Sequence, residues 1–269
     1  MSILNYEVKD SIAIVTLNRP EMRNALNPEM IVGLADAWTA VKEDDNVRVA
    51  ILTSSGEGST FCAGADLGEL IPLLSGAKEP ADDWDQRIAD NRRIIYHALL
   101  RNFDTEKPVI AAINGHAIAG GMEIVQGTDM RVAAPGVKIG VQEVKWAIFP
   151  GGGSTVRMPR QMPYAKAMEL LLTGDTITSE EALDLGFLNY VVPEADVLDK
   201  ALEIAGKIAA NGPIAVKAIR ASARACIGLP EKEALKLENK YSAPVLATED
   251  AREGPRAFKE KRKPVYKGR

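Results

Sequence analysis

Two hydrophobic periods alternate along the first 65 residues. "SIAIVTLN" (11–18) and "VRVAILTSS" (47–55) carry apolar runs of strand length, whereas "NPEMIVGLADAWTAVKED" (27–44) spaces its apolar residues as a helix does. Asn27 and Pro28 open that helix as N-cap and first-turn residue. The rhythm is β-α-β. Leu70 to Asp90 mixes Pro, Gly, Ser and acids, the texture of a mobile lid or pocket wall, and an amphipathic helix is predicted from about Asp85 to Leu100. "KPVIAAING" (107–115) is a strand, "HAIAGGMEIVQG" (116–127) a turn into a short helix, and "TDMRVAAPGVKIGV" (128–141) two short strands joined by Pro135 and Gly136. "PGGGSTVRMPRQM" (150–162) is a flexible turn, capped by Ser154 or Thr155, that leads into further helix. From Glu194 to Lys263 nearly everything favours helix, with breaks at Gly212-Pro213, Gly228 to Pro230 and Gly254-Pro255. The chain therefore divides into an α/β core (1–195) and a helical C-terminal region (196–269).

Composition narrows the function classes. Of 269 residues, 46% are hydrophobic and 26% charged, enough for one sizeable core. A net charge of −4 and a pI near 5.5 argue against a nucleic-acid partner, which would need clustered Lys and Arg. The tail "FKEKRKPVYKGR" (258–269) is the local exception, read most simply as a cationic helix end. Cys62 and Cys226 are the only cysteines and should be free thiols in a reducing compartment. The N-terminus lacks a signal-peptide pattern, and the uncharged run 108–122 is shorter than the roughly 20 residues of a membrane span. A cytoplasmic protein with no membrane association is expected.

Several chemistries fail on residue type. From Gly115 the spacing to Gly120 fits part of a phosphate loop, but Gly121 and Met122 stand where Lys and Ser or Thr are needed. His97 and His116, the only histidines, form no metal-ligand cluster with the cysteines, and no nucleophile elbow occurs. What remains is carboxylates beside backbone donors. "STFCAGADLGEL" (59–70) and "HAIAGGMEIVQG" both pass from an apolar strand through Ala-Gly into an element that starts acidic. Such turns free backbone N–H groups, and two facing each other would form an oxyanion hole; either alone also serves tight packing. Asp66 reads most simply as an N-cap and Glu143 alone as a solvated first-turn residue. Glu123 stands among glycine and apolar neighbours, where an unpaired carboxylate costs several kcal/mol. Either it is exposed or it has a task.

The set "FCAGADL", "KPVIAAINGHAIAGGMEI", "IGVQEVKWAIFPGGGSTVRMPR", "AMELLLTGDTITSEEALDLGFLNYVVP" and "EGPRAFKEKRKPVY" resembles, in order and spacing, the enoyl-CoA hydratase/isomerase (crotonase) superfamily. The resemblance implies an α/β spiral of ββα units, a C-terminal helical trimerisation region, and acyl-CoA thioester substrates activated through an oxyanion hole, with no cofactor beyond the coenzyme A of the substrate and no metal. Carried over by position, Glu123 and Glu143 are the catalytic pair, Ala63 and Gly120 the oxyanion-hole donors, and Gly151 a water-positioning residue. Arg23, Ala25, Ala65, Asp66, Leu67, Phe258 and Lys261 fall on coenzyme A-binding positions, Lys261 at the adenine end. Ala119 stands where many hydratases have a third glycine, and Met122 where smaller residues occur, which would narrow the pocket.

Two glutamates mark the hydratases of that superfamily, so the resemblance implies water addition across the 2,3 double bond of a 2-enoyl-CoA, by a homotrimer or a dimer of trimers. An isomerase or a specialised dehydratase, and a non-catalytic acyl-CoA binder on the same fold, are the alternatives. The paired acids count against the binder. "EIVQGTDMRVA" and "VKWAIFPGGGSTVRMPRQMPY" also resemble members that process bulky chains, so both fatty-acid and sterol side-chain substrates come into view.

Overall fold

The computed structural model describes residues 2–56 and 60–269. The strands are β1 (Leu4–Lys9), β2 (Ile12–Leu17), β3 (Val49–Ser54), β4 (Thr60–Cys62), β5 (Val109–Ile113), β6 (His116–Ile118), β7 (Met130–Ala133), β8 (Lys138–Gly140), β9 (Ile177–Thr178) and β10 (Tyr190–Val191). The helices are α1 (Pro28–Glu43), α2 (Leu70–Ser75), α3 (Asp83–Asp90), α4 (Arg93–Ala98), α5 (Gly120–Gly127), α6 (Ser154–Gln161), α7 (Tyr164–Thr173), α8 (Ser179–Asp184), α9 (Val197–Ala209), α10 (Pro213–Cys226), α11 (Glu231–Leu246) and α12 (Glu249–Lys259).

A larger sheet runs β1-β2-β3-β5-β7-β10 and a smaller one β4-β6-β8-β9. From β2 to β10 the larger sheet is parallel, and β3 and β5 are buried along their whole length, which explains their unbroken apolar runs. β1 pairs antiparallel at the edge and keeps its polar residues exposed. In the smaller sheet β4 and β6 are parallel neighbours, with Cys62 opposite Ala117. That pairing sets their two following turns side by side.

Asn27 caps α1 as its sequence predicts, its side chain accepting from the Met30 N–H at 3.0 Å. The single helix expected from Asp85 to Leu100 is two helices. Asn91 leaves the helical region, with φ −146° and ψ 86°, and its side chain accepts from the Arg93 N–H at 3.1 Å, which starts α4 afresh. Gly212-Pro213 and Gly228 to Pro230 do break helices, but Gly254-Pro255 lies inside α12. The break falls instead at Thr248, whose hydroxyl caps α12 by accepting from the Ala251 N–H at 3.0 Å. The C-terminal tail then braces α12. Asp250 accepts from the Lys267 and Gly268 N–H groups, and Glu253 pairs with Arg256 and Arg262.

Helix α9 packs on β2, β3, β5 and β7 of the larger sheet, so it is part of the core layer. Helices α10 and α11 pack on each other as a hairpin, which the buried Arg220 of α10 ties to the core by pairing with Asp104 and Asp129. Among the described residues no helix is long and apolar enough to cross a membrane.

Candidate active site

The turns after β4 and β6 meet at backbone distance. A Cβ added to Gly64 would lie 2.9 Å from the Gly120 nitrogen, and one added to Gly120 would lie 3.5 Å from the Ala65 nitrogen. Leu26 and Ala65 form a parallel bridge whose bonds run from the Leu26 N–H to the Gly64 carbonyl and from the Asp66 N–H to the Leu26 carbonyl. The Ala65 N–H therefore points the other way, with no acceptor among the described residues. Gly120 is the first residue of α5, where a helix leaves its N–H groups unbonded. These two donors open into one cavity of about 380 Å³.

This corrects the donor expected from sequence. Ala63 lines the same cavity, but its N–H is engaged by the Arg23 carbonyl at 3.1 Å, and Ala65 holds the free one. Gly121 has a different duty from Gly120: its Cβ would fall 2.4 Å from the Cys62 carbonyl oxygen, so it permits α5 to sit on β4. Ala119 adopts φ 51° and ψ −123°, a backbone conformation few non-glycine residues take. Met122 is wholly buried in the core and does not line the cavity.

Glu123 and Glu143 line this cavity together with the two donors. Glu123 is buried, 5% exposed, and its Oε1 accepts from the Ser154 hydroxyl at 3.1 Å and, at the limit of a hydrogen bond, from the Ser154 N–H at 3.4 Å. Burial raises its pKa, while the Ser154 bonds, the Gly152 backbone and the charge of Arg157 pull it back. Glu143 opens a 3-10 turn (Glu143–Trp146) rather than standing in solvent, and its Oε2 is buried with no hydrogen-bond donor among the described residues. Burial first, and then the charge of Glu123, push its pKa up to about 7. Burial thus raises the pKa of both carboxyls, but Glu123 keeps the Ser154 donors whereas Glu143 Oε2 has none among the described residues.

Gly151 and Leu67 also line the cavity, and of the 70–90 segment Leu70, Ile71 and Leu74 form part of its wall. The remaining sequence-derived coenzyme A positions lie outside its lining in the single chain: Arg23, Ala25, Asp66, Phe258 and Lys261. Asp66 is a buried turn cap, accepting from Arg19 at 2.6 Å and from the Gly68 and Glu69 N–H groups. Burial pushes its pKa up, but these bonds outweigh that and leave it below the ordinary carboxylate value. Ser154 caps no helix; Gly153 holds that position and the Ser154 side chain turns to Glu123. Among the described residues no cluster of ligands suited to a metal occurs.

The chain matches known proteins along nearly its whole length. The enoyl-CoA hydratase/isomerase family model matches residues 7–269. The chain belongs to that family. It is 47% identical over 256 residues to the enoyl-CoA hydratase EchA19 of Mycobacterium tuberculosis, covering 95% of this chain and 93% of that one. It is 38% identical to an (E)-benzylidenesuccinyl-CoA hydratase of Thauera aromatica, over 97% and 98% of the two chains. The crystal structure of an enoyl-CoA hydratase from M. tuberculosis H37Rv superposes with a TM-score of 0.88 at 36% identity, covering 100% of both chains. The α/β architecture, with its two sheets and C-terminal helices, is thus the crotonase fold of this family.

Proposed function

We propose that this family member is an enoyl-CoA hydratase that adds water across the 2,3 double bond of a 2-enoyl-CoA to give a 3-hydroxyacyl-CoA. The observation that carries the reading is the meeting of two carboxyls and two unbonded N–H donors in one cavity. The thioester oxygen would accept from Ala65 and Gly120, which draws electron density from the double bond and stabilises the enolate. Glu123, whose Ser154 donors offset part of the burial that raises its pKa, takes a proton from water in its ionised form as the water oxygen bonds to Cβ. Glu143, kept protonated by burial and by the Glu123 charge, delivers the proton to Cα. One water is consumed, and the turnover leaves Glu123 protonated and Glu143 ionised, so one proton must pass from Glu123 back to Glu143 to reset the pair. Gly151, which lines the cavity, is assigned to hold that water through its N–H.

The cavity walls support an extended apolar acyl group, since Ile71, Leu74, Ile95, Trp146 and Phe149 line them beyond the reacting pair. A larger groove of about 520 Å³ between α10 and α11 is far from this chemistry and is lined by Ile219, Leu235, Val245 and Leu246, an apolar surface suited to a trimer contact. Lys261 and Phe258, both outside the cavity of a single chain, are assigned to the adenine end of coenzyme A. The test is to follow loss of the conjugated thioester absorbance of crotonyl-CoA and of longer 2-enoyl-CoAs, with CoA release measured in parallel. Absorbance loss with no free CoA is expected. Binding without turnover would return the protein to the carrier class, and double-bond migration without hydration would make it an isomerase.

A further inference from the structure

Glu123 does not stand alone on its face of α5. Gln126 follows it by three residues, which places the two side chains one helical turn apart on the same side. The glycine turn before α6 carries Ser154 into the space between them. Gln126 Nε2 donates to Ser154 Oγ at 2.9 Å, and Ser154 Oγ donates to Glu123 Oε1 at 3.1 Å. The relay is dry: Gln126 is 2% exposed and Ser154 0%.

The direction of the relay follows from the hydrogen inventory. A serine hydroxyl has one hydrogen and two lone pairs, and an amide NH₂ can only donate. Because Gln126 supplies a hydrogen to the oxygen of Ser154, the one hydroxyl hydrogen is left for the carboxylate. An ionised Glu123 accepts it; a protonated Glu123 would compete for the same oxygen. Arg131 and Gln161 donate to the Gln126 main-chain carbonyl at 3.4 and 2.9 Å, which anchors the residue that starts the relay.

We infer that Ser154 and Gln126 are positioning residues for the general base, a buried amide–hydroxyl relay that fixes Glu123 Oε1 and aims the one hydroxyl hydrogen at the carboxylate. The inference rests on the hydratase reading, and deepens it by naming what sets the state of its base. The charged groups facing Glu123 are Glu143 from the 3-10 turn and Arg157 from α6, with Arg92 at the cavity wall. Burial opposes ionisation of Glu123, while Arg157 favours it at a distance and Ser154 by direct donation. Without the hydroxyl, Glu123 should hold its proton to higher pH.

The experiment is the pH profile of kcat/KM for crotonyl-CoA hydration in wild type, Ser154→Ala, Gln126→Met, Glu123→Gln and the Glu123→Gln/Ser154→Ala pair, with melting temperature recorded for each. Ser154→Ala is expected to move the acid limb up by about 1 pH unit, a tenfold rate loss on that limb, while KM changes little. Gln126→Met should move it the same way by less, because the hydroxyl remains but is no longer directed. In the Glu123→Gln background Ser154→Ala should cost nothing further. A lower melting temperature with an unmoved acid limb in both Ser154→Ala and Gln126→Met would overturn the relay and leave these residues purely structural. Wild-type protein that hydrates no enoyl-CoA would instead defeat the hydratase reading on which the relay depends.

Discussion

Gly152 and Glu123 are in such close contact that a Cβ on Gly152 would lie 2.3 Å from Glu123 Oε2. The same atom would be 2.7 Å from Leu99 Cδ1, so neither side offers room. Gly152→Ala is therefore expected to displace the carboxylate and lower kcat by about 100-fold, while acyl-CoA binding survives. Gly151→Ala is the matched control. Its nearest neighbour would be the Phe149 carbonyl oxygen at 3.8 Å, and alanine keeps the N–H assigned to the water. Steady-state kinetics on both variants checks the contrast; equal losses would contradict it.

Glu143 predicts a stability difference with a definite sign. Its folded-state pKa is raised from 4.5 to about 7, so the native state binds the proton more tightly than the unfolded chain does. The stability associated with that proton is complete below pH 4.5 and is lost as pH rises to about 7. Glu143→Gln, which stays neutral, should match wild type near pH 4 and melt at higher temperature at pH 8. Thermal melts across that range measure it. A variant less stable than wild type at pH 8 would mean that the ionised carboxylate is well solvated.

At the coenzyme end, an exposed ammonium paired with phosphate acts mainly on binding and is weakened by salt. Lys261→Ala is expected to raise KM for a coenzyme A thioester several-fold at low ionic strength and to leave a truncated pantetheine thioester almost unaffected. Kinetics with the two substrates separates them. Equal losses on both would remove Lys261 from the adenine end.

Ile219 and Leu246 on the α10–α11 hairpin are 69% and 76% exposed in the single chain, a cost that burial against a neighbouring subunit would relieve. Sedimentation at micromolar concentration should give a trimer or hexamer for wild type. Ile219→Glu with Leu235→Glu, in the same groove, should give smaller species. A wild-type monomer would defeat the assembly.

The parts of this site legible from sequence are those that depend on period and spacing. The buried strands, the Asn27 cap and the two Ala-Gly turns follow from local rules, and Glu123 stood out because a carboxylate among glycines needs an explanation. Position in "FCAGAD", which the resemblance uses to name Ala63 as donor and Ala65 as coenzyme contact, does not show which N–H a neighbouring segment takes up; the Leu26 bridge decides that. A serine after glycines fits a cap, and only the approach of α5 to α6 turns Ser154 to Glu123 instead. Gln126 and Gly152 carried no signal of their own: their roles exist only through distances to residues far along the chain. Thr248 displaced the Gly254-Pro255 break for the opposite reason, a local cap prevailing where tail contacts hold a proline inside a helix.

The central claim is that Glu123 and Glu143 work as a unit on one water, and the most direct measurement is kcat for crotonyl-CoA hydration by Glu123→Gln, Glu143→Gln and the double variant, alongside acyl-CoA affinity. Each single change keeps size and hydrogen bonding and removes proton transfer, which is typically a loss of about 10²- to 10⁴-fold. The account predicts losses of that order with affinity retained, and a double variant close to the worse single one, since groups that act together are far from additive. Near wild-type hydration by either single variant would contradict it.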